Sequence, residues 1–219
     1  VSKVAKRAVL AVLTVVGIVL LGLGSWFTFH LGPTGSATFT TTPAKGSIVV
    51  VEPSVLNRVD RPTTVTVVTR GKSPVFAGRA TPSDAEAIVG GADVTRVTGA
   101  HVRSWSLVAS QSGAGAAPAL AGADIWREAV QGNGRVRLQV RQENAPEAVV
   151  LATADGKPAD ISRLTVTIER RTWFFQALLV SLVGLLAAAA GVAGLWQERR
   201  RGARPATTEP ARPTEEATV

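Results

Sequence analysis

Two long apolar runs constrain this chain more than any motif in it. Ala8 to about Phe29 and Trp173 to Trp196 contain no Asp, Glu, Lys or Arg, and the mostly polar residues 31–172 lie between them. Each run exceeds the ~20 residues that cross a hydrocarbon core of about 30 Å as a helix, and neither holds an ionised group that lipid would have to desolvate. In lipid such a run becomes a helix, because a helix pairs its backbone N–H and C=O groups within itself. The layout predicts a cytoplasmic N-terminus over 1–7, a transmembrane helix over 8–30, an external domain over 31–172, a second transmembrane helix over 173–196, and a disordered cytoplasmic tail over 197–219 whose Pro, Thr and Glu cannot build a core.

Orientation is read from the cations. Lys3, Lys6 and Arg7 precede the first run, and Arg199, Arg200, Arg201 and Arg204 follow the second. Short cationic flanks resist translocation, so both termini are expected in the cytoplasm of a multi-pass plasma-membrane protein, with the central domain extracytoplasmic. Arg163, Arg170 and Arg171 on the other flank of the second run weaken that assignment without reversing it. Trp26, Trp173 and Trp196 stand at run ends, where an indole serves as a membrane-interface anchor. A secretory signal peptide is the rival for residues 1–30. The first run is longer than the roughly 7–15 residues of a signal core and has no clean small-x-small cleavage site after it, so an uncleaved anchor is expected.

With no cysteine in the chain, disulfides, thiol catalysis and cysteine-based metal sites are excluded, and the external domain must stand on its hydrophobic core. A segment of this length can bury one. The net charge of +8 is spread along the chain, without a basic face interleaved with aromatics, so no nucleic-acid partner is expected; membrane lipid is.

Period-two patterning dominates the central segment. Ala37, Phe39 and Thr41 alternate with Ser36 to Thr42 hydroxyls, Val65 and Val67 with Thr64 and Thr66, and Leu164, Val166 and Ile168 with Thr165, Thr167 and Glu169; Ile48 to Val51 is a continuous β-branched run. Gln131-Gly132-Asn133-Gly134-Arg135 suits a hairpin. A three-residue loop, Gly132 to Gly134, would pair Val130 with Val136 and Trp126 with Val140, placing Leu138 on the buried face and Arg135, Arg137 and Arg141 on the other. A second turn is expected at Ala154-Asp155-Gly156-Lys157. Pro82 to Glu86 opens a short helix that Gly90-Gly91 ends, and the small residues Gln111 to Gly122 read as a loop. About eight strands, one helix and no βαβ rhythm predict a mainly β fold, an antiparallel β-sandwich of jelly-roll type inserted between two transmembrane α-helices.

Pro74-Val75-Phe76-Ala77-Gly78, Asp84 to Val94, Ile125-Trp126, Gly132 to Gly134 and Val149 to Gly156 together resemble a group of actinobacterial membrane proteins with an extracytoplasmic β-domain. The likeness covers most of residues 45–195. The chain departs from that pattern in having Leu138 and Val140 where tryptophan is common, and Ala148 where an aromatic often stands. The resemblance implies a fold and a location, and no activity.

Catalytic constellations are thin. His30 and His101 are the histidines, Asp84 and Glu86 suit a helix N-terminus, Glu143 and Glu147 flank Pro146, and Asp155-Gly156 lacks the acid spacing of a calcium loop. No catalytic residue, metal site or cofactor is expected. Two surface candidates remain. Arg135, Arg137 and Arg141 would point to one side of a strand and could hold an anionic cell-wall polymer, the ordinary alternative being a solvated face that discourages edge aggregation. Trp105 is either core or a sugar-stacking platform. In the second run Gly184, Ala187, Ala188, Gly191 and Gly194 space small residues by three and four, a helix-packing face for the chain's own first run, for a homo-oligomer, or for another membrane protein. The expected function is a membrane-anchored extracytoplasmic interaction or accessory module, a subunit or scaffold of a cell-envelope complex. A carbohydrate- or wall-polymer-binding module is the alternative, and an enzyme with scattered site residues the third.

Overall fold

The computed structural model of the protein describes residues 3–59, 61–141 and 145–202. Of the tail expected over 197–219, residues 197–202 continue a helix, and the rest, with Arg204, lies outside the described residues, as does Glu143. The chain divides into two compact units, one made of the chain up to Phe27 with the chain from Gln176 onward, the other of Thr28–Phe175.

Helices α1 (Lys3–Leu31) and α4 (Arg171–Gly202) carry the apolar runs, and both are long and apolar enough to cross a membrane. In the first unit they lie antiparallel, glycine against backbone. A methyl group added at Gly17 would overlap the backbone of Ala188, one at Gly24 that of Ser181, and one at Gly184 that of Leu21; one at Gly191 would strike the Thr14 side chain. Close approach of this kind is what associates helices where lipid tails are as apolar as the side chains. The other faces show Val12, Val15, Ile18, Leu182 and Leu186 outward. Thr14 Oγ1 donates to Leu10 O at 2.8 Å and Ser181 Oγ to Ala177 O at 3.0 Å, so the hydroxyls are satisfied without water. Arg7 Nε and Glu198 Oε2, 3.7 Å apart, join the two basic ends of the pair.

Among the described residues the second unit holds ten strands in one sheet, nearly closed into a barrel. They are β1 (Ser36–Thr41), β2 (Ile48–Val51), β3 (Thr63–Thr69), β4 (Pro74–Ala80), β5 (Val94–His101), β6 (Ser106–Ser112), β7 (Glu128–Asn133), β8 (Arg135–Val140), β9 (Ala148–Ala152) and β10 (Ile161–Glu169). Their order is β7-β4-β9-β2-β5-β6-β1-β10-β3-β8. The expectation of a mainly β domain between two apolar helices therefore holds. The antiparallel expectation is modified, because β2 runs parallel to β5 and β1 to β6. Short helices α2 (Pro53–Leu56) and α3 (Pro82–Val89) lie between strands. Thr81, just before the expected Pro82 start, caps α3 by accepting from the Asp84 amide at 3.2 Å, and the helix ends at Gly90, where Gly90-Gly91 is expected to end it.

Two kinds of strand face set the architecture. On β4, β9, β2 and β5 the outward residues Phe76, Val150, Ala148, Ala152, Ile48, Val50 and Val94 are buried beneath Ala85 and Val89 of α3 together with Leu120 and Trp126. Alternate residues Ala77, Leu151, Val49, Val51 and Val97 turn inward, so β2 and β9 are buried on both faces. On β1, β10, β3 and β8 the inward residues are apolar, among them Phe39, Leu164, Val166, Val65, Val67 and Leu138, and Val68 on β3 is an apolar residue on the outward side.

The expected hairpin is corrected. β7 and β8 are consecutive in the chain but stand at opposite ends of the strand order, and Gly134, at φ 80°, carries the chain from one edge to the other. Val130 pairs with Ala77 and Val136 with Val67. Trp126 precedes β7 instead of facing Val140; its ring covers Gly78, lies edge-on to Phe76 at 5.2 Å, and its Nε1 donates to Leu120 O at 2.7 Å. The parity argument still separates the faces, with Val136, Leu138 and Val140 buried and Arg135, Arg137 and Arg141 exposed. Gln111 and Ser112, expected in a loop, extend β6 against Thr95 and Val94.

Candidate functional site

The polar half of the sheet gathers residues from four chain segments into rows. In one row Thr38, Thr167, Thr64 and Gln139 are register partners across β1, β10, β3 and β8; in the next stand Thr40, Thr165, Thr66 and Arg137; in the third Arg163 and Arg135 flank Val68. Alternation puts all of them on the outward face. Thr38 Oγ1 and Thr167 Oγ1 lie 3.3 Å apart. Arg135, Arg137 and Arg163 are exposed, and among the described residues no carboxylate is within ion-pair distance of any of the three.

This arrangement revises the arginine stripe. Arg141 is exposed, with its Nη2 3.4 Å from Gln139 Oε1, but it stands at the other end of β8 from Arg135, roughly 20 Å along the strand. Arg163 takes its place beside Arg135 and Arg137. Sequence reasoning treated Arg163 as a membrane flank, and its outward position in the Leu164-Val166-Ile168 alternation was the available signal.

Trp105 is held by the protein's own rings. Its indole stacks on His30 at 5.5 Å and on Phe39 at 5.3 Å, it is half-buried, and its backbone adopts φ 50° in the turn between β5 and β6. That placement sets the indole among the protein's own rings. His101 is exposed at the end of β5.

Other charged groups form structural ties. Arg96 on β5 reaches Glu52 beside α2 and Glu86 on α3; burial pulls its pKa down, and the hydrogen bonds it donates to Glu86 and Glu52 outweigh that and raise it. Glu147, 3% exposed at its side chain, is gripped by Arg127 at 2.8 Å and Arg79 at 3.4 Å. Asp84 accepts from Thr81 Oγ1 at 2.7 Å, as a helix-capping group does. Among the described residues no group of His, Cys, Asp and Glu side chains is arranged to hold a metal ion.

The Asp155 turn forms where the sequence places it. Gly156 takes φ 83° and its amide donates to Thr153 O at 3.0 Å. Hydrogen bonds from Lys157 Nζ and Thr153 Oγ1 hold the Asp155 carboxyl down to about 2. Because the folded value lies below the ordinary ~3.9, the stabilisation from this group is complete above that value and is lost as pH falls through about 2. An NMR titration of Asp155 should show a midpoint near about 2, and Lys157→Ala should move it up toward ~3.9; an unchanged midpoint in the variant would remove Lys157 as the cause.

In the helical unit Gly184, Ala188, Gly191 and Gly194 abut α1, and Ala187 is half-buried beside them. Trp26 and Trp173 are half-buried near the ends of their helices, and Trp196 is exposed with the Arg200 guanidinium 3.6 Å above its ring. Comparison with protein-family models, curated proteins and solved structures finds no match to this chain.

Proposed function

We propose that this is a two-span plasma-membrane protein with both termini in the cytoplasm, whose β domain stands outside the cytoplasm and serves as a non-enzymatic interaction module of the cell envelope. The observation that carries the reading is the antiparallel pair of α1 and α4. Its outward surface is apolar, and Arg7 and Glu198 bring both basic flanks to one end. Cationic flanks at one end of a hairpin favour retention of that end in the cytoplasm. The small-residue face of α4 is occupied by α1. Interaction is therefore assigned to the β domain, which offers one broad polar face.

Topology is tested by single-cysteine labelling, which the cysteine-free sequence makes clean. Ser110, exposed on β6, should react as Ser110→Cys with a membrane-impermeant maleimide in intact cells. Thr208→Cys, in the C-terminal tail, should react only after lysis. The reverse pattern would place the β domain in the cytoplasm and end this reading.

A further inference from the structure

We infer that the arginine end of the outward face on β8, β3, β10 and β1 binds a linear polyol phosphate, an acyclic polyhydroxylated chain joined by phosphodiesters; the inference rests on the reading of the β domain as an interaction module. Arg135 and Arg163 stand on either side of Val68 in one row, two strand spacings or about 10 Å apart, and Arg137 lies one outward position, about 7 Å, along β8 from Arg135. Each guanidinium presents a planar fork that matches two oxygens of a phosphate, and no described carboxylate competes for it. A ligand crossing these positions must therefore carry repeated negative charge.

The rest of the face says what joins the charges. Thr40 and Thr165, then Thr38, Thr167 and Thr64, continue the surface from the arginines, while Thr66, between Thr165 and Arg137, is buried. Each hydroxyl donates one hydrogen bond and accepts others, so the rows complement a chain of hydroxyls. No aromatic residue occupies an outward position on these four strands. A sugar ring or a nucleobase would find no stacking surface, whereas an acyclic polyol needs none.

The arginines stand apart from the strand ends that join the apolar helices. β10 passes through Glu169 and Arg170 into α4, and β1 follows α1 through Gly35, whose carbonyl accepts from the Arg170 amide at 3.1 Å. The helix-proximal row of the face is thus Ser36 with Glu169. Arg163 lies roughly 20 Å back along β10 from that row, at the far end of the strands. Charge is thus concentrated at the strand ends remote from those junctions.

The test presents full-length protein, in nanodiscs of phosphatidylcholine, with poly(glycerol phosphate). Saturable binding that weakens as salt rises is expected. Arg135→Ser combined with Arg163→Ser should lower affinity about tenfold or more, while Arg141→Ser, at the other end of the strand, should change it by less than about twofold. Thermal melting of each variant establishes that the β domain remains folded. No binding by the folded protein, an equal loss in the Arg141 variant, or equal binding to neutral dextran would overturn the inference. Tighter binding to single-stranded DNA, or to vesicles of phosphatidylglycerol and phosphatidylcholine, would overturn the polyol assignment. If polymer binding fails while Ser110→Cys still labels from outside, this inference alone falls; if the labelling fails, the topology falls with it.

Discussion

Glu147→Ala is expected to destabilise the β domain by about 2–3 kcal/mol, the loss of a buried carboxylate's charge-assisted contacts with two arginines. The Glu147 residue is 2% exposed and precedes β9, where its two carboxylate oxygens face Arg127 Nη1 at 2.8 Å and Arg79 Nε at 3.4 Å. Arg79 lies on β4, the partner of β9, and its carbonyl accepts from the Arg127 amide at 2.8 Å. The carboxylate therefore ties β4 and β9 to the start of β7, the strand at one edge of the sheet. Removing it leaves Arg79, 17% exposed at its side chain, with only the more exposed Glu128 at 3.4 Å. For a protein of this size the loss corresponds to a fall in Tm of roughly 4–12 °C. Glu128→Ala is the control and should cost less than about 1 kcal/mol, since surface pairs contribute little. Equal melting of the two variants would show that Glu147 is not the centre of the tie.

The same glutamate shows where sequence reading stops. Near Pro146 it reads as a loop carboxylate, because nothing local marks it as buried; its partners come from β4 and from the approach to β7, segments brought together only by the sheet order. Alternation did locate β3, β8 and β10 and sorted their faces correctly, since a residue's side of a strand is fixed by parity alone. What parity leaves open is which strands are neighbours. Gly132 to Gly134 has hairpin chemistry, yet the left-handed Gly134 is used to step between two sheet edges, and the loop chemistry of a φ > 0 glycine is the same in both cases. The continuous runs of β2 and β9 were the unread signal. Strands apolar on both sides need a second covering layer, and here α3, Leu120 and Trp126 provide it. Strands that alternate stay bare outside, so the candidate face was legible as exposed arginines and threonines, while the pairing of Arg163 with Arg135 across Val68 required the register.

Gly184→Leu is expected to separate α1 from α4. A Cβ at position 184 would meet the Leu21 amide nitrogen and the carbonyls of Gly17 and Leu20, all backbone, so no side-chain rotation can relieve the overlap. Overpacking costs about 1–3 kcal/mol even in cores that adjust, and helices pressed together by their backbones must move apart bodily. Gly22 supplies the matched control, because a Cβ there meets nothing within 4 Å. The readout is disulfide crosslinking between Leu10→Cys and Gly194→Cys, positions that meet across the pair. Crosslinking should be efficient in the parent and in Gly22→Leu, and should fall roughly tenfold in Gly184→Leu if ~1.4 kcal/mol of association is lost. Equal yields in the two leucine variants would mean that the helices do not depend on this contact. The outcome bears on partners as well as on stability. A face consumed by the chain's own hairpin is closed to a second protein, so any membrane partner would have to meet the outward surface of Val12, Val15, Ile18, Leu182 and Leu186, and Gly184→Leu would act on such a complex only by opening the hairpin first.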